Sequence, residues 1–252
     1  MSPGFGFDGR VEVVAHRGYS ARAPENTLAA MELAIEVGAD ALEFDLHTAS
    51  DGTPFLFHDA ALNRTTDGVG AIRDWPPGRL AELDAGRWFD ARFEGEQIPT
   101  LKHTLERVRG RVGRLYAEVK GYRETPDLDR MVEIVIDTGM LAQTVFISMD
   151  WGALSRIRAG CEEARIGYIV EKAARTDEGI VRASGDPAAL VDFSAKVLLE
   201  DASVAERAHA ASIELASWTV NRVDEAARLL AMGVPRLTTN EVEALVEWKR
   251  TL

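Results

Sequence analysis

Two pairs of charged residues recur at one spacing. Glu43 and Asp45 lie at i and i+2 within Ala41–Leu46, and Glu118 and Lys120 repeat that interval at the end of Arg114–Val119. Successive strand side chains point to opposite faces, so each pair shares a face while Phe44 and Val119 point the other way. Carboxylates facing an interior are costly unless something neutralises them. Glu43, Asp45 and Glu118 with a basic residue nearby suit a hard divalent cation bound through oxygen. His16 and His58 each end a β-rich run beside a charged neighbour, Arg17 and Asp59. Two imidazoles facing one cavity can act as general base and general acid near neutral pH. With Arg17 and Lys120 to hold an anion, the set fits phosphate-ester chemistry. The same residues also allow plain strand-end salt bridges, Glu118 to Lys120 for example, and the spacing leaves both readings open.

The other histidines carry less. His103 and His209 read as structural, and His47, two residues past Asp45, is either solvent-facing or near the site. Cys161 reads as a small core or helix residue.

Residues so scattered need a scaffold that gathers strand ends. The chain alternates short β-rich runs with longer helical stretches. Strands are expected at Val11–Ala15, Ala41–Leu46, Arg114–Val119, Thr144–Met149, Arg165–Val170, Lys196–Leu199, Ile213–Val220 and Arg236–Thr239, with Pro54–Phe57 as a side hairpin after the turn signal Asp51-Gly52. Helices are expected at Pro24–Val37, Leu101–Val108, Leu128–Asp137, through Leu154 and Ile157, from Pro187 to Val191, and at Val204–Ala211, Val223–Met232 and Glu241–Trp248. Such alternation implies a parallel sheet. Eight repeats in 252 residues imply a closed (β/α)8 TIM barrel, whose catalytic groups sit at the C-terminal strand ends. An open doubly wound sheet is the alternative. The whole chain, 1–252, reads as a single domain. Residues 59–109, after the second strand region, break the rhythm with Gly, Pro and aromatics, at a length beyond ordinary loops. Two readings of that insertion stand: a surface elaboration with its own small aromatic core, or a lid or wall over a site.

Composition removes other classes. With 29 Lys and Arg against 41 Asp and Glu, the net charge of −12 argues against nucleic acid as a partner. One cysteine excludes a disulfide scaffold. No apolar run approaches the roughly 18 residues needed to span a bilayer, so no stable membrane anchor is expected. Met1 to Arg10 lacks a basic region followed by an apolar one, which makes the cytoplasm the expected location. Barrels of this size often dimerise; a homodimer is an expectation without an assigned interface.

The motifs resemble those of the glycerophosphodiester phosphodiesterase family, in its compact bacterial cytosolic form. His16-Arg17-Gly18, Pro24-Glu25-Asn26-Thr27, Glu43-Phe44-Asp45, His58-Asp59, Arg64-Thr65-Thr66, Leu83-Asp84-Ala85-Gly86, Pro99-Thr100-Leu101, Glu118-Val119-Lys120 and Trp218-Thr219-Val220-Asn221 follow the family order and spacing, and Thr238-Thr239-Asn240 fits the final strand end. Thr48–Ser50 and Ile147–Trp151 are less typical of it. The resemblance implies hydrolysis of a small-molecule glycerophosphodiester to sn-glycerol 3-phosphate and an alcohol. It implies one divalent cation, Mg2+ or Ca2+, on Glu43, Asp45 and Glu118, phosphate binding by Arg17 and Lys120, and His16 and His58 as the acid–base pair. Trp218 would pack against the glycerol moiety. Glu25 and Asn26 would buttress the loop after the first strand, with Asn26 also suited to capping the next helix. The insertion would lie beside the active-site mouth. A lysophospholipid substrate would call for an apolar groove beside Trp218, lined by Trp75, Trp88 or Phe89. A non-catalytic sensor of glycerol phosphates would usually lack one of these groups.

Overall fold

The computed structural model describes residues 10–252. The expectation that the chain start carries no leader pattern falls on residues 1–9, outside the described residues. Among the described residues nine strands form one sheet: β1 Glu12–His16, β2 Ala41–Thr48, β3 Pro54–Leu56, β4 Arg114–Val119, β5 Thr144–Ser148, β6 Arg165–Val170, β7 Ala189–Ser194, β8 Glu214–Trp218 and β9 Arg236–Thr239. All but β3 pair in parallel, in the order β1-β2-β4-β5-β6-β7-β8-β9. β9 pairs back onto β1, so the ring closes and an open sheet is excluded. β3 runs antiparallel against β2, as a side hairpin should.

The pleat sorts the side chains. Leu42, Phe44 and Leu46 of β2 face outward into the layer under the helices, joined by Phe146 and Phe193. Val14, Tyr116, Val145, Ile147, Ile169 and Leu190 fill the barrel interior. Each large apolar side chain so buried contributes roughly 1.5–3 kcal/mol against exposure. The N-terminal ends of the strands are closed by charge. Arg236 pairs with Glu214 at 2.6 Å and Glu12 at 3.4 Å, and the Tyr116 hydroxyl donates to Glu12 at 3.0 Å. The opposite end of the barrel is left for a site.

Two expected elements are corrected. Lys196–Leu199 is not a strand: it lies in the helix Ala195–Glu200. The strand precedes it at Ala189–Ser194, where a helix was expected to open at Pro187. The run Ala189-Leu190-Val191-Asp192-Phe193 is buried throughout. A short, wholly buried strand has no alternation to set it apart from a helix, and here strand and helix abut without a loop. The first helix also starts later, at Leu28, because Asn26 takes a positive φ of 58° that no helix accommodates. Thr27 is its cap, its hydroxyl accepting from the Ala30 amide at 3.3 Å, so Asn26 does not have the capping role.

Within 59–109 the chain makes short turns: three-residue helical turns at Leu62–Arg64, Ile72–Asp74 and Ala91–Phe93 and one turn at Pro77–Leu80. They pack Leu62, Ile72, Leu80 and Ile98 onto Phe55 and Phe57, giving the segment its own small core.

Candidate active site

Strand register brings the charged residues together. His16 is the register partner of Glu43 across β1–β2, and Asp45 is that of Glu118 across β2–β4. Because Glu43 and Asp45 alternate with outward-facing Phe44, both rungs point inward at the C-terminal end of the barrel. Glu43, Asp45 and Glu118 are buried, and each offers a carboxylate oxygen within 4.8 Å of the others. Burial, and then the neighbouring Asp45 and Glu118, hold the Glu43 carboxyl well above its usual range. Burial followed by Asp45 lifts Glu118 to about 7. Asp45 goes the other way: burial raises it, but Arg17, His58 and Lys120 outweigh that. Glu43 Oε1 and Asp45 Oδ1 are buried without a hydrogen-bond partner. Three clustered carboxylates with two orphaned oxygens fit a hard divalent cation.

Each group is held by a named neighbour. Asn26 donates through Nδ2 to Asp45 Oδ2 at 2.8 Å and accepts the Asp45 amide at 3.1 Å. The Arg17 amide donates to Glu43 Oε2 at 2.9 Å, while its guanidinium lies 3.1 Å from Asp45 and 2.9 Å from Glu25. Gly18, at φ 76°, completes the turn; a Cβ there would meet the Ala30 backbone at 2.5 Å. Lys120 Nζ donates to Glu118 at 3.0 Å and lies 3.9 Å from Asp45. The Glu118–Lys120 salt bridge thus exists, inside the carboxylate cluster rather than instead of it.

The two histidines are fixed differently. Asn240 Oδ1 accepts from His16 Nδ1 at 2.7 Å, which leaves Nε2 as an acceptor, 3.9 Å from Glu43. Burial, reinforced by Arg17, lowers the His16 pKa to about 4. His58 Nδ1 donates to Asp59 at 2.6 Å, and Arg64 in turn donates to both oxygens of Asp59, at 2.7 and 3.1 Å. His47 is buried, not solvent-facing, and its Nε2 meets the His58 carbonyl at 3.1 Å. A Cβ at Gly121 would lie 2.5 Å from the His47 ring, so this position needs glycine. His209 bonds the Met232 carbonyl at 2.9 Å, in line with a structural role, and Cys161 is buried.

A cavity of about 250 Å3 opens over the cluster, with His16, Arg17, Glu43, His58, Glu118, Lys120 and Trp218 in its walls. Every sequence-derived candidate therefore lines it, save Asp45, which lies fully buried within the carboxylate cluster. Trp218 donates from its indole to the Asp192 carbonyl at 3.3 Å. Trp75, Trp88 and Phe89 are not among the lining residues, so the apolar groove they were to form beside Trp218 is not found. Asn240, Asp59 and Arg64 each stand in a motif, but the sequence does not single them out for positioning the site; Arg64 meets Asp59 nearby in the chain and Glu25 far from it. Asp192, also in the cavity wall, was hidden by the misplaced strand.

Residues 16–244 match the model of the glycerophosphoryl diester phosphodiesterase family. The chain belongs to that family. It is 28% identical to the glycerophosphodiester phosphodiesterase of Caldanaerobacter subterraneus, over 94% of this chain and 97% of the relative. It is 30% identical to the YhdW protein of Bacillus subtilis, over 93% of this chain and 96% of that protein. An Oleispira antarctica phosphodiesterase solved with its product sn-glycerol-3-phosphate matches with a TM-score of 0.81 at 27% identity, covering 96% of this chain and 97% of that one. For this glycerophosphoryl diester phosphodiesterase family member, no helix among the described residues is long and apolar enough to cross a membrane.

Proposed function

We propose that this protein hydrolyses glycerophosphodiesters to sn-glycerol 3-phosphate and an alcohol, using one divalent cation, Mg2+ or Ca2+, on Glu43, Asp45 and Glu118. The observation that carries this reading is the buried carboxylate cluster opening into a cavity that also presents His16, His58, Arg17 and Lys120. A bound cation would supply Lewis-acid stabilisation of the phosphoryl oxygens. Arg17 and Lys120 offset the phosphodiester charge that otherwise repels an oxygen nucleophile. His16, with its Nδ1 proton committed to Asn240, presents Nε2 to take the proton of the attacking oxygen. His58, its ring oriented by the Nδ1 bond to Asp59, gives its proton to the leaving alkoxide. One P–O bond forms and one breaks, and the proton taken at one imidazole is matched by the one given at the other. The attacking oxygen is either water, which gives sn-glycerol 3-phosphate in that one exchange, or the substrate's own glycerol hydroxyl, which gives a cyclic phosphate that water opens in a second exchange of one P–O bond for another, with the two imidazoles trading roles. Trp218 packs its flat face on the glycerol carbons. We read residues 1–252 as one phosphodiesterase domain with 59–109 as its insertion, acting on small molecules in the cytoplasm.

The test is release of sn-glycerol 3-phosphate from glycerophosphocholine with Mg2+ or Ca2+, and again with EDTA. Metal-dependent release is expected. No release with either cation, from this substrate or from glycerophosphoethanolamine, overturns the reading.

A further inference from the structure

Two carboxyls in the cavity wall, Glu171 and Asp192, have no part in the chemistry above, and of these Asp192 is buried while Glu171 is exposed. Asp192 lies on β7, four strands from β2 in either direction round the ring, so it faces the cation cluster from the far side of the mouth. Its side chain is only 3% exposed, and its Oδ1 is buried with no hydrogen-bond partner. Apolar Ile147 and Ile169 share this part of the lining. Its own backbone carbonyl takes the indole N–H of Trp218, so the ring and the carboxyl belong to one wall. A buried polar atom without a partner is rare in folded proteins, and one aimed into a binding cavity is the usual sign of a ligand contact.

We propose that Asp192 is a specificity-determining residue that hydrogen-bonds the terminal hydroxyl of the substrate's glycerol moiety. The inference rests on the glycerophosphodiester reading above. The wall that stacks the glycerol carbons must also meet the hydroxyl they carry, and of the two buried polar side chains on this part of the lining, Asp192 and Thr238, only Asp192 holds an atom buried without a hydrogen-bond partner. A site built to bond a hydroxyl discriminates strongly against an analogue lacking it, because the site's own polar group is then left unpaired.

The experiment compares glycerophosphocholine with the 1-phosphocholine ester of propane-1,2-diol, which keeps the hydroxyl next to the phosphate-bearing carbon and lacks the terminal one. Choline release gives kcat/KM for both. The wild type is expected to favour glycerophosphocholine by at least about tenfold. In Asp192→Leu that ratio should fall to within about threefold, whereas Asp192→Asn, which keeps an oxygen in the same shape, should retain most of it. Equal kcat/KM for the two esters in the wild type overturns the assignment, and does so even if Asp192→Leu fails to fold. An unchanged ratio in a folded Asp192→Leu also overturns it. Loss of choline release from both esters in the wild type would instead count against the hydrolase reading itself.

Discussion

Arg64 donates to both carboxylate oxygens of Glu25, at 2.8 and 2.7 Å, from a segment that is not part of the barrel. Its other partner is Asp59, so a continuous chain of charge runs from His58 through Asp59, Arg64 and Glu25 to Arg17 and Asp45. Asp59 sits at about 2, held down first by Arg64 and then by His58. The insertion has its own small core, and its packed turns carry the guanidinium that pairs with both Asp59 and Glu25, although no residue of 59–109 lines the cavity itself.

Arg64→Ala should lower kcat by about tenfold or more, as outer positioning partners commonly do. Arg64 is nearly half exposed, so the melting temperature should move little, the pair contributing less than about 1 kcal/mol. Arg64→Lys should recover little activity, because one ammonium cannot reproduce a planar fork facing two carboxylates. Steady-state kinetics beside thermal melts of the three proteins decide the matter, and wild-type kcat in Arg64→Ala would remove the positioning role.

His16→Ala and His58→Ala should each reduce kcat by about 100-fold or more while leaving the fold intact. Neither ring belongs to the apolar core clusters, so circular dichroism and melting curves should stay close to wild type. Near-normal turnover in either variant would disprove the role given to that ring.

Asn26 offers a test on stability. Asn26→Ala removes both bonds to a fully buried Asp45 and should cost about 1–3 kcal/mol. Asn26→Asp should cost more in the metal-free protein, since it sets a second carboxylate against Asp45. Denaturant titration should give the order wild type, Ala, Asp, and the reverse order of the two variants would show that the amide pairing is not what supports Asp45.

The raised carboxyls predict how cation binding depends on pH. Glu118 sits at about 7 in the fold, against 4.5 for the free side chain. A folded pKa above the unfolded one means the folded state holds the proton more tightly. Its contribution to stability is therefore full below about pH 4.5 and lost as pH rises through about 7. A divalent cation must displace that proton, so its affinity should fall by up to about tenfold per pH unit from pH 7 down to pH 5. Melting curves with and without Mg2+ or Ca2+ should show a larger upward shift at pH 8 than at pH 5.5. An equal shift at both would indicate that the cation binds elsewhere.

Much of this was legible from residue order alone. The i, i+2 spacing of Glu43 with Asp45 and of Glu118 with Lys120 placed them on shared faces, because the strand period is short-range geometry. The ring of eight followed from the alternation of elements. Strand β7 did not, since an unbroken buried run carries no periodicity, and Asp192 was lost with it. The partnerships of Asn240 with His16 and of Arg64 with Glu25 join segments apart in sequence: closure of β9 onto β1 brings the first together, and the fold of the insertion brings the second.

Closure of that ring also divides the labour. The proposed cation ligands, both histidines and both phosphate-binding cations lie at or before Lys120, on one arc of the barrel. Trp218 and Asp192 come from the later arc, which also sends Asn240 to His16 on the reacting side. On the proposed roles, recognition and reaction occupy separate stretches of one chain, and the Asn240 side-chain amide links the later stretch to His16. The later arc could drift to fit a different alcohol or polyol while the earlier one kept its chemistry unaltered, provided that amide stayed in place.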